Sequence, residues 1–493
     1  MTLTTLVIII ALVALGLTLL TGLVWKKVDS WPISYLQHFC GALFVFSGWV
    51  KAVDPLGTAY KMEQYFAEFE ATFSDTSLSF LAPVFPLFSE YAVTFSVVVI
   101  IFEILLGLML LMGAARKFTS WAFLLLVGFF TFLTGFTFLT GYVPPEANFF
   151  EFGKWGPYVE TNMKVTDCGC FGDFLKLEPR TSFLKDVFLL LPALLFVLAQ
   201  DRLHQLFTPR IRSVVLGIAA GGLLIYCLSN FLWDIPHADF RPFKEGVDVA
   251  ERKQMEAEAM ANVQVLAYRL TNKETEEQVV VPYEELTAEI SKYPSEEWEY
   301  EQIKSEPEVP QTKISDFDVQ SEDGSSVTDD ILNDPGYSFM IIAQQLYLED
   351  QSASNTTIMD TVYRADTLRV GDTMRIERQV DTIIRREVRT YDYEWGNDYV
   401  SRWTEVVNPV VEAAEADGHR VYAITRFADP AKVDDFRHET QSAYPFYLAD
   451  DILLKTIVRS NPGVVLMKEG KIIKKWHYRK LPPYQEIAEK HIR

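Results

Sequence analysis

Two thiols separated by a single residue, Cys168 and Cys170 in Asp167-Cys168-Gly169-Cys170-Phe171-Gly172-Asp173, are where this chain of 493 residues could do chemistry. Three chemistries suit such a pair. A redox pair would work through a thiolate, and the flanking Asp167 and Asp173 oppose that by raising thiol pKa values through like charge. A structural disulfide would pin the surrounding loop, in a tight ring whose strain makes the bond easier to reduce. A metal site falls short, because two sulfurs without a neighbouring histidine leave a closed zinc site two ligands short. The redox and structural readings stay open, and no metal is expected. The other two cysteines, Cys40 and Cys227, lie inside apolar runs, where thiols serve as small core residues.

The elements that must position the pair are apolar and long. Predominantly apolar runs of about 18 residues or more, enough to cross a bilayer, occur near 3–25, 33–54, 91–113, 118–141, 183–200 and 213–233. The first is too long for a signal peptide's apolar region and has no cleavage site after it, so it is predicted to be a retained helix. Residues 1–233 hold 14 Lys and Arg against 16 Asp and Glu, whereas the remainder holds 31 against 50. A near-neutral membrane half is thus joined to a soluble half of net charge −19. That acidity excludes a nucleic-acid partner.

Orientation follows from the short basic loops. Lys26 and Lys27, then Arg116 and Lys117, then Arg202, Arg210 and Arg212, all fall in loops of one parity. Positive residues stay cytoplasmic. The N-terminus, the cysteine pair and the soluble half are therefore expected on the periplasmic side of a bacterial inner membrane, where a disulfide can persist. Ionisable residues inside the apolar runs are costly unless paired, neutral or facing a wet cavity. Depth counted from the loop ends pairs Glu103 with His38 and Lys51 with Glu90; a neutral Glu103 bonded to its own helix is the alternative.

The Gly41-x6-Gly48-x2-Lys51 stretch, Glu103-x3-Gly107 and above all Asp167-Cys-Gly-Cys-Phe-Gly172 resemble patterns of the DoxX and MauE four-helix membrane families, over roughly 33–200. The resemblance implies a four-helix bundle flanked by two added helices. It implies a methylamine-utilisation-like role supporting disulfide formation in a periplasmic enzyme, with quinone as the one cofactor the DoxX likeness suggests.

Beyond residue 235 the chain is expected to run as a helix (249–262), a hairpin (263–283) and an acidic, proline-bearing linker (291–313). Then follow a strand at 314–319, a buried strand at 337–343, helices opened by Asn408-Pro409 and Asp429-Pro430, strands at 421–424 and 446–448, and a Lys468-Glu469-Gly470 hairpin. This order resembles a thioredoxin-like domain of the peroxiredoxin and cytochrome-maturation type over 310–493. The resemblance makes Pro462 the expected cis proline. Gln344-Gln345-Leu346 stands where the likeness implies cysteines, and no cysteine follows Cys227. Without a thiol this half cannot exchange disulfides.

An insertion at about 350–402 repeats Asp-Thr-apolar at 360, 366, 372 and 381, a pattern predicted to form strands or a ribbon. It also gathers Arg364, Arg369, Arg375, Arg378, Arg385, Arg386 and Arg389. These are either a solvated face paired within the domain or an arm that binds a partner.

The expected architecture is thus a first helix and cytoplasmic loop (1–32), the four-helix bundle (33–200), a loop and sixth helix (201–235), a connecting region (236–309) and the α/β domain (310–493). Two functions fit. In one, Cys168 and Cys170 carry out thiol–disulfide or quinone-linked chemistry in envelope protein maturation. In the other, a non-enzymatic membrane scaffold binds an envelope or membrane protein near Pro462 or the arginines Arg375, Arg378, Arg385 and Arg386. Lipid contact is common to both, and no nucleotide, haem or HExxH signature is present.

Overall fold

A computed structural model describes residues 2–165, 169–273, 275, 277–370 and 373–492. Cys168, with Thr166 and Asp167, lies outside the described residues, as does Asp372 of the repeat. The chain divides into two compact units, Met1–Lys244 and Glu245–Arg493.

The first unit is helical: α1 (Leu3–Leu19, continuing to Val24), α2 (Trp31–Val53), α3 (Pro55–Ser74), α4 (Val84–Glu90), α5 (Ala92–Met112), α6 (Arg116–Leu139), α7 (Pro179–Leu198) and α8 (Pro209–Leu228). Six of these, all but α3 and α4, are long and apolar enough to cross a membrane, so the protein is an integral membrane protein in contact with lipid. The span 55–89 between the second and third apolar runs is largely helical. Pro55 occupies the first turn and the Asp54 carboxylate accepts from the Gly57 amide at 3.1 Å, so α3 starts as soon as α2 stops.

Between lipid-facing helices the hydrophobic effect supplies little attraction, and close packing through small residues takes its place. α2 and α5 run side by side this way. A Cβ on Gly107 would come within 2.9 Å of the Gly41 carbonyl and the Val45 amide nitrogen, and one on Gly48 would meet Ile104 at 2.4 Å. Around this contact Leu43, Phe44, Leu106, Leu110, Phe123 and Phe196 form a buried core to which α6 and α7 contribute. Gly113 ends α5 with φ +62°, and a Cβ there would strike the His204 carbonyl at 1.7 Å.

The second unit contains α9 (Val249–Ala261), β1 (Val265–Asn272), β2 (Gln278–Pro282), α10 (Tyr283–Glu289), β3 (Trp298–Lys304), α11 (Thr328–Leu332) and β4 (Tyr337–Ala343). The long pair β5 (Leu348–Val370) and β6 (Thr373–Trp395) follows, then α12 (Asn397–Ser401), α13 (Asn408–Ala416), β7 (Arg420–Arg426) and α14 (Pro430–Thr440). The last elements are β8 (Phe446–Ala449), α15 (Asp451–Ile457), β9 (Gly463–Lys468), β10 (Lys471–His477) and α16 (Tyr484–His491).

A five-stranded sheet in the order β10-β9-β4-β7-β8 forms its centre; β4, β7 and β8 are parallel and β9 and β10 antiparallel to their neighbours. β4 is buried along nearly its whole length, as its continuous apolar run requires. The Asn461-Pro462 peptide bond leading into β9 is cis.

Three local expectations fail here. The linker 291–313 contains β3, which completes the small sheet β2-β1-β3 by laying Trp298 against Leu270 and Val281. Residues 314–319 form no strand; Ile314, Phe317 and Val319 are buried, and Gln320 alone makes a bridge to Leu448. Asn408 is not a cap, because the helix already runs from Asn397. Its amide donates to the Thr440 carbonyl at 2.7 Å and its oxygen accepts from the Tyr444 hydroxyl at 2.8 Å. β5 and β6, of 23 residues each, pair along their length with a bulge at Val362/Tyr363, an extent of about 75 Å at the usual rise per residue.

Gly107→Ala is expected to lower stability by about 1–3 kcal/mol, as overpacked positions do, because the added methyl meets backbone atoms. Gly128→Ala, where a Cβ meets nothing within 4 Å, serves as the control. Thermal unfolding of the detergent-solubilised chain measures both, and equal midpoints would refute the packing argument.

Candidate functional site

The glycine contact of α2 with α5 sets the depth at which their polar residues meet. Lys51 Nζ donates to Glu103 Oε2 at 2.7 Å and Oε1 at 3.0 Å, with both side chains almost fully buried. This corrects the pairings expected from loop-end counting. α2 stops at Val53 while α5 begins at Ala92, so Lys51 is about half a turn from its helix end and Glu103 about three turns from its own. Equal distances from loop ends therefore do not mean equal depth. Lys51 also lies 4.8 Å above the Phe130 ring of α6 and donates to Ser47 Oγ one turn back at 3.3 Å. Ser47 Oγ in turn donates to the Cys170 carbonyl at 3.0 Å, tying the cysteine loop to the pair.

A second pair comes from α7. Lys185 bonds Asp186, whose Oδ2 accepts from Thr134 Oγ1 of α6 at 3.0 Å. Lys185 Nζ stands 5.9 Å from the Phe171 ring, next to Cys170. Sequence reasoning missed these two residues. Their signal was an adjacent Lys and Asp within the first turns of an apolar run, where a charge persists only if partnered.

Cys170 is half-buried, packs on the bundle core and carries a free thiol. Its backbone is tied to the first pair through Ser47, and the Phe171 ring that follows it faces Lys185 of the second. Burial pushes its thiol above the ordinary value; the Lys185 and Lys51 ammonium groups pull it back, and Asp186 and Glu103 push it further up. Gly169 at φ +59° and Gly172 at φ +50° supply the left-handed turns that fold the loop around it. A small crevice with room for about one water, lined by Gly169, Cys170, Gly172, Leu175, Lys176, Leu177 and Ser182, adjoins the thiol. The partner sulfur of Cys168 falls outside the described residues.

His38 occupies the other end of α2. Thirteen residues separate it from Lys51, about 20 Å along a helix. Its Nδ1 lies 2.8 Å from the Ser34 carbonyl and 3.1 Å from Thr18 Oγ1, and its Nε2 3.3 Å from Thr21 Oγ1. Since a carbonyl only accepts, Nδ1 carries the proton. The ring stacks on His204 at 4.3 Å, and burial lowers the His204 pKa below its usual value. His38 thus closes the opposite end of the bundle and takes no part in the cysteine cluster.

In the second unit the turn after β4 is closed by side chains. Asn461 Nδ2 donates to the Gln345 carbonyl at 2.7 Å, Gln344 Nε2 to the Val458 carbonyl at 2.5 Å, and Arg402 Nη1 to the Asn461 carbonyl at 3.0 Å. Pro462 is thus held beside the glutamines. Arg385 is exposed on the ribbon, while Arg375, Arg378 and Arg386 belong to its ladder by backbone and their side chains lie outside the described residues. No cluster of three or more metal-ligating side chains occurs among the described residues.

Two outcomes are expected. Glu103→Ala strands the buried Lys51 ammonium and costs about 3–5 kcal/mol, whereas Lys51→Met with Glu103→Leu restores most of it; unfolding of the three variants in detergent tests this. In a Cys168→Ser background, alkylation of Cys170 rises with pH past the ordinary thiol range. Asp186→Asn, by removing one negative charge, increases the rate at pH 8; a profile typical of an exposed thiol would contradict the burial argument.

Comparison with known proteins gives one match: the family model described as methylamine utilisation protein MauE fits residues 29–145. That interval holds Lys51 and Glu103 and ends before Cys170 and the Lys185–Asp186 pair. No curated protein and no solved structure matches the chain.

Proposed function

We propose that this membrane protein carries out thiol–disulfide chemistry at Cys168 and Cys170, in support of envelope protein maturation. The observation that carries the reading is that the Cys170 loop is tied through Ser47 to the buried Lys51–Glu103 pair, with Lys185 of a second pair over the adjoining Phe171 ring. A loop that needs only a staple has no use for a buried ion pair kept next to it at the desolvation cost of burial. The arrangement is electrically balanced, so the thiol stays protonated at rest and ionises when a partner sulfur or proton acceptor approaches. The MauE match over 29–145 and the six membrane-capable helices support the same reading.

On this reading the cysteine loop and the second unit face the periplasm across a bacterial inner membrane, in accord with the basic loops at Lys26-Lys27, Arg116-Lys117 and Arg202–Arg212. The second unit, with its β10-β9-β4-β7-β8 order, serves as a thioredoxin-like domain without a thiol, positioning a protein partner while the membrane half exchanges disulfides. Quinone is the electron acceptor this reading would add on the membrane side.

A second reading, a scaffold that binds partners without chemistry, draws on the Gln344-Gln345 turn that Asn461 closes. Cys168→Ser with Cys170→Ser separates the two. The enzyme reading expects cells carrying this variant, like cells lacking the protein, to accumulate reduced envelope proteins while the variant is still present in the membrane. Normal envelope oxidation in cells that depend on the protein would leave the scaffold reading standing.

A further inference from the structure

Between α3 and α5 the chain runs from Thr76 to Ser89 without one ionisable side chain, and Asp75 and Glu90 close the stretch at either end. The segment is held to the unit by its rings. Phe85 packs against Phe69 and Phe73 of α3 at 5.6 and 5.5 Å, and Phe88 against Phe66 of α3 and Phe95 of α5 at 5.6 and 5.4 Å. The side turned away stays uncovered. Leu78, Phe80, Leu81, Val84 and Leu87 are exposed, Phe80 at 71% and Leu87 at 53%. Contiguous apolar surface of this kind marks an interaction site.

Its occupant follows from what the segment joins. The Tyr91 amide donates to the Leu87 carbonyl at 3.3 Å and the Phe95 amide to the Tyr91 carbonyl at 3.0 Å, so helical bonding passes from α4 into α5. Tyr91, Phe95, Val98 and Phe102 recur at helical spacing and form one exposed stripe. On the membrane-capable α5 that stripe faces lipid. Leu87 continues it outward, about 7 Å beyond Ala92 along a helix. That distance is the depth of a headgroup layer, since a bilayer of about 30 Å of hydrocarbon measures about 40–45 Å with both interfaces.

We propose that the outer face of residues 78–91 is an interfacial membrane anchor, seated among headgroups and upper acyl chains on the side of the membrane where the cysteine loop lies. A protein partner would need polar groups around the patch to orient it, and this stretch offers no charge. Lipid needs none, and it already covers the stripe that the patch extends. The seating reaches the cysteine loop, because a Cβ on Gly169 would stand 3.4 Å from Lys61 Cγ of α3. The anchor therefore holds that loop close to the bilayer surface, whatever chemistry the loop performs.

The test uses the full chain in liposomes of phosphatidylethanolamine and phosphatidylglycerol. Cys168→Ser and Cys170→Ser leave an introduced cysteine as the site for a nitroxide label, since Cys40 and Cys227 are fully buried. Labels at Phe80→Cys and Leu87→Cys are compared with a lipid-facing reference, Val98→Cys, and a water-facing one on the second unit, Glu412→Cys. Collisions with a water-soluble nickel chelate are expected to be several-fold rarer at 80 and 87 than at 412, while collisions with oxygen, which dissolves in lipid, stay frequent. Nickel collisions as frequent as at 412 would place the segment in water, and shielding from both reagents would place it under protein, such as a second copy of this chain; either result overturns the assignment. In the unsubstituted, unlabelled chain, a phospholipid with a photoactivatable acyl chain is expected to attach within 78–91 as well as within 95–102. Attachment confined to 95–102 would overturn the anchor independently of any substitution.

Discussion

The contact of Gly41 with Gly107 is the constraint from which the site follows. With no side chain at either position, α2 and α5 approach to backbone distance, and the register this fixes brings Lys51 and Glu103 to one depth. An unpaired ammonium or carboxylate at such a place would be expensive. Paired, the two form the floor on which the cysteine loop rests through Ser47, and α7 adds the Lys185–Asp186 pair from the other side. Packing, charge and loop position are thus one arrangement, and a change at the glycines reaches the thiol.

This arrangement also bears on the ionisation of the thiol. Burial alone would make Cys170 inert, as it does Cys40 and Cys227 in their apolar surroundings. Two cations near it counter part of that effect, and two carboxylates keep the cations neutralised until the thiol ionises. The histidine pair at the opposite end of α2 is separated from this cluster by apolar side chains such as Leu43, Phe44 and Leu106, and acts as a packed closure.

Much of the architecture was legible in the chain. Run length alone located the six membrane-capable helices, and a continuous apolar stretch marked β4. Proline after Asp429 marked a helix start that the structure has at Pro430. The misses have physical causes. Depth counting paired Lys51 with the wrong carboxylate because α3 follows α2 without a loop. Asn408 has the residue types of a cap but is buried mid-helix, where Thr440 and Tyr444 satisfy it. The strand Trp298–Lys304 was hidden by its many glutamates, which lie on exposed positions of a small sheet whose inner face is carried by Trp298 and Tyr300. In the site, Lys185, Asp186 and Ser182 carried too weak a pattern to single out. Only the fold brings them beside Cys170.

The most direct measurement of the central claim is the redox state of the cysteine pair in native membranes, trapped by acid quenching and differential alkylation at Cys168 and Cys170. The account predicts a mixture of oxidised and reduced protein whose ratio moves reversibly when thiol or disulfide is added to the membranes. A pair that stays wholly disulfide-bonded, or wholly reduced, under both treatments would contradict it.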